Sequence, residues 1–303
     1  DASDNLALER VMFLVDGQEV GTVRSAPFTV TWDSYQVPNG EHRLEALAWD
    51  KAGNRCEKAG SARVHVANNL VETAYFAEGC TRDGFETWLC LQNPGAQAAF
   101  VTVEYYLGEG QGVPVSKGYV LPPHSRTTVY VNGEVGAGKD VSLKVTSDRS
   151  IVAERPVYFT YRSLDGGIRR GGHVAKGVGS LAREWYFAEG CTRDGFDTWL
   201  CLQNPWSQPA EIRVSYMMEG GLSTERGYFV APRSRYTVMV NREVGAGHDV
   251  SMKVTSNLPV VAERPVYFLY QGMWDGGHNV MGALRPETRW YFAEGCTRTG
   301  FSQ

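Results

Sequence analysis

Carboxylates recur in this chain at matched positions, and paired carboxylates are a natural starting point for hydrolytic chemistry. Glu78, Glu189 and Glu294 each stand in an FAEG segment, while Glu154 and Glu263 each stand in VAERP beside Arg155 and Arg264. Two carboxyl groups flanking a glycosidic bond can hydrolyse it. Each of these, however, returns as part of a longer repeated stretch, and an active site does not need copying into every module of an array. Ion pairs or hydrogen-bonded carboxylates at strand ends are the better reading. His173 and His278 lie in GGH, where backbone freedom accounts for the glycines better than metal ligation accounts for the imidazole. GAGKD at Gly136 resembles a fragment of a phosphate loop, but the second copy reads GAGHD, so a turn is expected. The sequence has no G-x-S-x-G or HExxH, and no enzymatic activity is expected.

Asp1 and Asp4 of DASDN, with Asp50 and Asn54 of DKAGN, could gather around Ca²⁺, although turn chemistry explains the same residues. No other cofactor is expected. Trp88, Trp185, Trp199, Trp206, Trp274 and Trp290 could offer sugar-stacking platforms, with core and interface packing as the plainer role. Cys80 and Cys90 flank the TRDGF turn, and Cys191 and Cys201 repeat that spacing, so both pairs are expected as disulfides across a hairpin. Closing a loop of about ten residues stabilises by roughly 2.5 to 3 kcal/mol. Buried free thiols are the alternative. Cys56 and Cys296 are left over, and two spare thiols in an oxidising compartment suggest a link between chains.

The elements that carry these residues follow from repetition. Tyr75–Pro94 and Tyr186–Pro205 differ only at Glu86 against Asp197, an offset of 111. EVGAGKDVSLKVTS and VAERPVYF return at an offset of 109, and GGH returns at 105. Each copy is therefore a module of about 105 to 111 residues, longer than a solenoid unit. Within it run TWLCLQN, FVTVEYYL, RTTVYVN, DVSLKVTS and IVAERPVYFTY. Val141, Leu143 and Val145 alternate with Ser142, Lys144 and Thr146, the pattern of a half-buried strand. Residues 1–69 lack the repeat but show their own strands and DG and NG turns, including FTVTWD at Phe28–Asp33.

Hydrophobic residues make up 43% of the 303 and charged residues 21%, the balance of a folded chain. A net charge of -4 offers no basic field for nucleic acid, and no apolar run is long enough for a membrane helix.

DASDNLALERVMFLVDGQEVGTV and the residues that follow, to DKAGNR, resemble the bacterial immunoglobulin-like domains strung along secreted enzymes and surface proteins. In that family DASDN follows two earlier strands. The longer repeat, with WYFAEG, GFxTWLxLxNP, VAERPxYF and GGH, resembles an uncharacterised repeat of bacterial cell-surface proteins frequent in actinobacteria, with Cys here where members usually carry Ser or Leu. The resemblance implies an extracellular, modular protein.

The expected fold is all-β, with tandem immunoglobulin-like β-sandwiches in a linear array. Its parts are an incomplete domain at 1–69, repeats at 70–182 and 183–287, and an orphan first strand at 288–303. A chain opening on Asp1 is expected to be a mature or internal piece of a longer product. The expected role is a secreted structural protein, a stalk or a head-to-tail filament of copies of itself. Trp290, Tyr291, Phe292 and Phe301 would add as a strand to the open first domain of the next subunit, with Cys56 and Cys296 at the contact. A carbohydrate- or cell-envelope-binding adhesion module is the alternative.

Overall fold

A computed structural model describes residues 8–32, 34, 37, 40–56, 60–66 and 72–299. The chain divides into two compact units, residues 1–69 and 70–303.

In the first unit, β1 (Leu8–Val15), β2 (Gln18–Val23), β3 (Gly40–Asp50) and β4 (Gly60–Val66) form one antiparallel sheet in the order β2-β1-β3-β4. Asp16 and Gly17 both take positive φ, 48° and 81°, the conformation that lets a two-residue DG turn match strand twist. Phe28, Val30 and Trp32 alternate in burial as expected, yet the stretch forms no ladder. Pro27 at its head has no N–H to donate. Asp1, Asp4 and Asn39 lie outside the described residues.

The second unit is built twice from one plan. The first copy contains β5 (Glu72–Phe76), β6 (Phe85–Asn93), β7 (Ala99–Leu107), β8 (Val115–Leu121), β9 (Ser125–Tyr130), the short α1 (Val131–Val135), β10 (Val141–Ser147), β11 (Val152–Arg162) and β12 (Ile168–Lys176). Two four-stranded antiparallel sheets, β5-β10-β7-β8 and β12-β11-β6-β9, face each other. Val141, Leu143 and Val145 turn inward with Phe76 and Val103 and meet Leu89, Leu91 and Val129 from the other sheet.

The second copy runs through β13 (Ala182–Phe187), β14 (Phe196–Asn204), β15 (Ala210–Met218), β16 (Ser223–Val230), β17 (Ser234–Met239), α2 (Val240–Val244), β18 (Val250–Tyr270) and β19 (Trp274–Met281). Its pairings match the first, with one difference. The 21-residue β18 covers what the first copy divides into β10 and β11. Its first half pairs with β13 and β15, its second with β14 and β19, so one strand serves both sheets and turns the corner near Pro259.

The fold is all-β, as the alternating runs indicate. The two copies, expected as beads, share one compact unit: the core of the second continues onto Tyr75 and Ala77 of the first, and Met281 packs against both cores. Residues 288–299, expected as an orphan strand, carry no strand here; β5, which shares the Tyr-Phe that opens the repeated YFAEGCTR, is a strand because β10 supplies its ladder.

Candidate functional site

Alternation along β11 turns Ala153, Arg155, Val157 and Phe159 inward and leaves Val152, Glu154 and Tyr158 outward. An Arg at an inward position needs partners, because burying an unpaired charge is costly. Arg155 Nη2 lies 2.6 Å from Glu78 Oε2, and Nη1 donates to Glu263 Oε2 at 2.9 Å. Glu263 reaches across from β18 of the second copy. Its Oε1 accepts from the Ala77 N–H at 2.5 Å and the Glu78 N–H at 3.3 Å, and Asn279 Nδ2 donates to its Oε2. His173 Nε2 lies 3.4 Å from Glu78 Oε1, to which the Tyr267 hydroxyl also donates at 3.1 Å.

A second cation closes the cluster. Arg235 on β17 donates from Nη1 to the Gly79 carbonyl at 2.6 Å, and from Nη2 to Thr237 Oγ1 at 2.6 Å and Cys201 Sγ at 3.0 Å. Around it, Ser234 Oγ donates to the Leu107 carbonyl at 2.7 Å and Gln203 Nε2 to the Leu143 carbonyl at 3.1 Å. Glu78, Glu263, Arg155 and Arg235 are all buried, two charges of each sign. Burial alone would raise the Glu78 carboxyl, but the charges of His173 and Arg155 outweigh it and hold it at about 2. Such a cluster adds little net stability over an apolar one, yet removing one member is severe, so it fixes which surfaces meet.

Aromatic packing completes the joint. The Tyr267 ring lies 4.8 Å from Phe159, 4.9 Å from Tyr161 and 6.0 Å from Phe85, seated as a knob in a three-ring slot. β12 and β19 approach closely beside it, and a Cβ on Gly277 would stand 2.8 Å from Phe159 Cζ. The second glycine of GGH is thus required for contact between copies.

All six cysteines are free thiols, where disulfides were expected for Cys80 with Cys90 and Cys191 with Cys201. The cause is strand alternation. Cys80 is anchored to inward-facing Thr87, whose Oγ1 accepts from its N–H and donates to its carbonyl, whereas Cys90, three residues along β6, faces outward and accepts from Arg126. Cys80 instead lines a cleft of about 250 Å³ with Cys201 and Arg235. Burial pushes the Cys80 thiol up to about 11 and Cys201 to about 12. Cys56 is half-buried and accepts from the Ala48 N–H, and Cys296 lies beside Arg298. Trp290, Tyr291 and Phe292 are exposed, and Phe301 lies outside the described residues.

Other candidates fall to structural roles. Both oxygens of Asp50 accept from the DKAGN turn, from the Ala52 and Asn54 N–H groups and Asn54 Nδ2, so turn chemistry uses the carboxylate offered to calcium. GAGKD wraps the TRDG turn, with Thr81 Oγ1 donating to the Gly136 carbonyl and accepting from the Lys139 N–H. Trp185 is a core residue whose Nε1 donates to the Val260 carbonyl. Trp274, half-exposed, stacks on Tyr270 at 5.8 Å. The sequence pointed to Glu78 and Glu263 as ion-paired or hydrogen-bonded carboxylates, with Arg155 and Arg264 in the same repeated motif, but passed over Arg235. Its signal was the Ser-Arg pair repeated at 125–126 and 234–235 within dissimilar surroundings.

Residues 1–46 match the bacterial Ig domain family. No curated protein matches the chain. Among solved structures, the Thermotoga maritima 1070 protein aligns at 18% identity over 35% of this chain and 97% of its own, with a TM-score of 0.33. A Streptomyces avermitilis alpha-L-rhamnosidase, solved with L-rhamnose, aligns at 10% identity over 92% of this chain and 38% of its own, with a TM-score of 0.17. A 1.5-MDa bacterial ice-binding adhesin, studied for host cell surface retention, aligns at 9% identity over 93% and 87%, with a TM-score of 0.18. Alignments this loose carry no functional weight.

Proposed function

We propose that this chain is an extracellular structural protein of a bacterial surface, part of a stalk or head-to-tail filament and not an enzyme. The carrying observation is the buried joint of Glu78, Arg155, Glu263 and Arg235, in which Glu263 bonds Arg155 and Arg235 bonds the Gly79 carbonyl across the two repeats. The match of residues 1–46 to the bacterial Ig domain family favours the same setting. In the filament form, the segment from Trp290 adds as a strand to the sheet of another subunit's first unit. From Tyr291 it repeats the YFAEGCTR that begins in β5 at Tyr75, and its aromatic rings stand exposed, Tyr291 at 88% and Phe292 at 86%. Electron microscopy of the full chain tests this: fibres lost on deleting residues 288–303 are expected, and fibres unchanged by that deletion overturn strand addition.

A carbohydrate- or envelope-binding role is the second reading, favoured by the exposed stack of Trp274 on Tyr270. Retention on a cell-wall polysaccharide resin that is lost in Trp274→Ala is its expected signature.

A further inference from the structure

Both halves of the joint between the repeats exist a second time, each without the partner repeat it has inside the chain, although Arg264 is buried at 3% exposure. On repeat 2, Glu189, Arg264 and His278 stand where repeat 1 has Glu78, Arg155 and His173, and Arg264 pairs with Glu189 as Arg155 pairs with Glu78. The Glu189 side chain is 56% exposed against 4% for Glu78. The three rings of the slot recur on repeat 2, where Trp274 also stacks on Tyr270 at 5.8 Å. Phe196 and Tyr270 lie 6.3 Å apart at 69°, against 6.0 Å and 62° for Phe85 and Tyr161, and Phe268 lies 6.2 Å from His278, as Phe159 does from His173.

The complementary face lies on repeat 1. Glu154, Tyr158, Arg126 and Gln92 occupy the positions of Glu263, Tyr267, Arg235 and Gln203. Tyr158 is 56% exposed where Tyr267 is 5%, and Arg126 donates to Cys90 Sγ at 3.1 Å as Arg235 does to Cys201 at 3.0 Å. Glu154, Gln92, Ser125 and Arg126 line an open cleft of about 520 Å³. The charges match: Glu154 would meet Arg264, and Arg126 would meet the Gly190 carbonyl that corresponds to Gly79.

We propose that a second copy of this chain docks the outer face of its repeat 1, led by Glu154 and Tyr158, onto the slot that Arg264, Phe268 and Tyr270 form on repeat 2. The inference rests on the head-to-tail part of the proposed function and names the surface that would carry it. The contact joins two different faces, so it is open-ended. It is weaker than the joint inside the chain, because Val174 replaces Asn279, and His124 and Ser215 replace the Arg233 and Glu104 ion pair.

Sedimentation velocity of the full chain over a concentration series reads this contact. Wild type is expected to form a ladder of species that lengthens with concentration. Glu154→Lys is expected to keep the wild-type Tm, since the residue is exposed, and to weaken association by about tenfold or more. Mixed with wild type it should shorten the ladder, because its intact slot binds a neighbour while its altered face binds none. Tyr158→Ala gives the same test without changing net charge. A wild-type ladder in both variants overturns the docking, as does wild type that stays monomeric to about 100 µM, above the micromolar range in which weak interfaces of ordinary size hold. The chain without residues 288–303 separates the two assembly routes. Loss of the ladder there, with a full ladder in Glu154→Lys, overturns docking and leaves strand addition standing; the reverse pattern supports docking and removes strand addition.

Discussion

Glu263 Oε2 lies 2.9 Å from Arg155 Nη1, and both side chains are fully buried although 108 positions separate them in the chain. One residue belongs to each repeat, so the pair ties two copies of a sequence module together at their joint.

Removing one partner leaves the other charged and buried. Glu263→Gln is expected to lower the stability of the second unit by about 3 to 5 kcal/mol, read from urea unfolding. The equivalent change at exposed Glu154 is expected to fall within about 0.5 kcal/mol of wild type, so the comparison isolates burial from residue type.

Tyr267 contributes a ring and a hydroxyl, and these separate by substitution. Tyr267→Phe loses the bond to Glu78 and should cost about 1 to 2 kcal/mol. Tyr267→Ala also empties the slot between Phe159 and Tyr161 and should cost about 3 to 5 kcal/mol. Equal losses in the two variants would show that the hydroxyl, not the packing, holds the knob.

Acid should loosen the joint in a defined window. The Glu78 carboxyl faces Arg155, His173, Tyr267, Arg235 and Glu263, and is held at about 2 against an ordinary 4.5. A depressed carboxyl stabilises the fold above its unfolded value, and that stability drains as pH falls from about 4.5 to about 2. Tm measured across this range should fall more steeply in wild type than in Glu78→Gln.

At Gly277 the backbone of β19 comes so close to Phe159 that Gly277→Ala should cost about 1 to 3 kcal/mol through overpacking. Gly118, with nothing within 4 Å of an added Cβ, is the control expected to change little.

Thiol labelling of the native chain checks the cysteines. Cys296, whose thiol the Arg298 side chain draws down, should react first, and Cys80 and Cys201 only on unfolding. Six labelled thiols in urea without reductant are expected; fewer would mean that bridges form.

The strands were legible because alternation is local: Val141, Leu143 and Val145 are buried as their spacing indicates. The repetition also marked Glu78 and Glu263 as ion-paired or hydrogen-bonded carboxylates, with Arg155 and Arg264 beside the VAERP glutamates. It did not reveal that Glu263 would serve the copy before its own, because the difference between Glu154 and Glu263 lies in their neighbours, not in the VAERP they share. Cysteine pairing failed for a related reason. Sequence spacing places Cys80 and Cys90 near one another, but the side of a sheet on which a thiol emerges depends on the turn between them.

The continuity of β18 has a mechanical consequence. In repeat 1 the segment between Ser147 and Val152 separates the two sheets, whereas in repeat 2 one strand is bonded into both. Tension along the chain can therefore peel repeat 1 a sheet at a time. Repeat 2 must shear both ladders together, which makes repeat 1 the mechanical fuse of the pair.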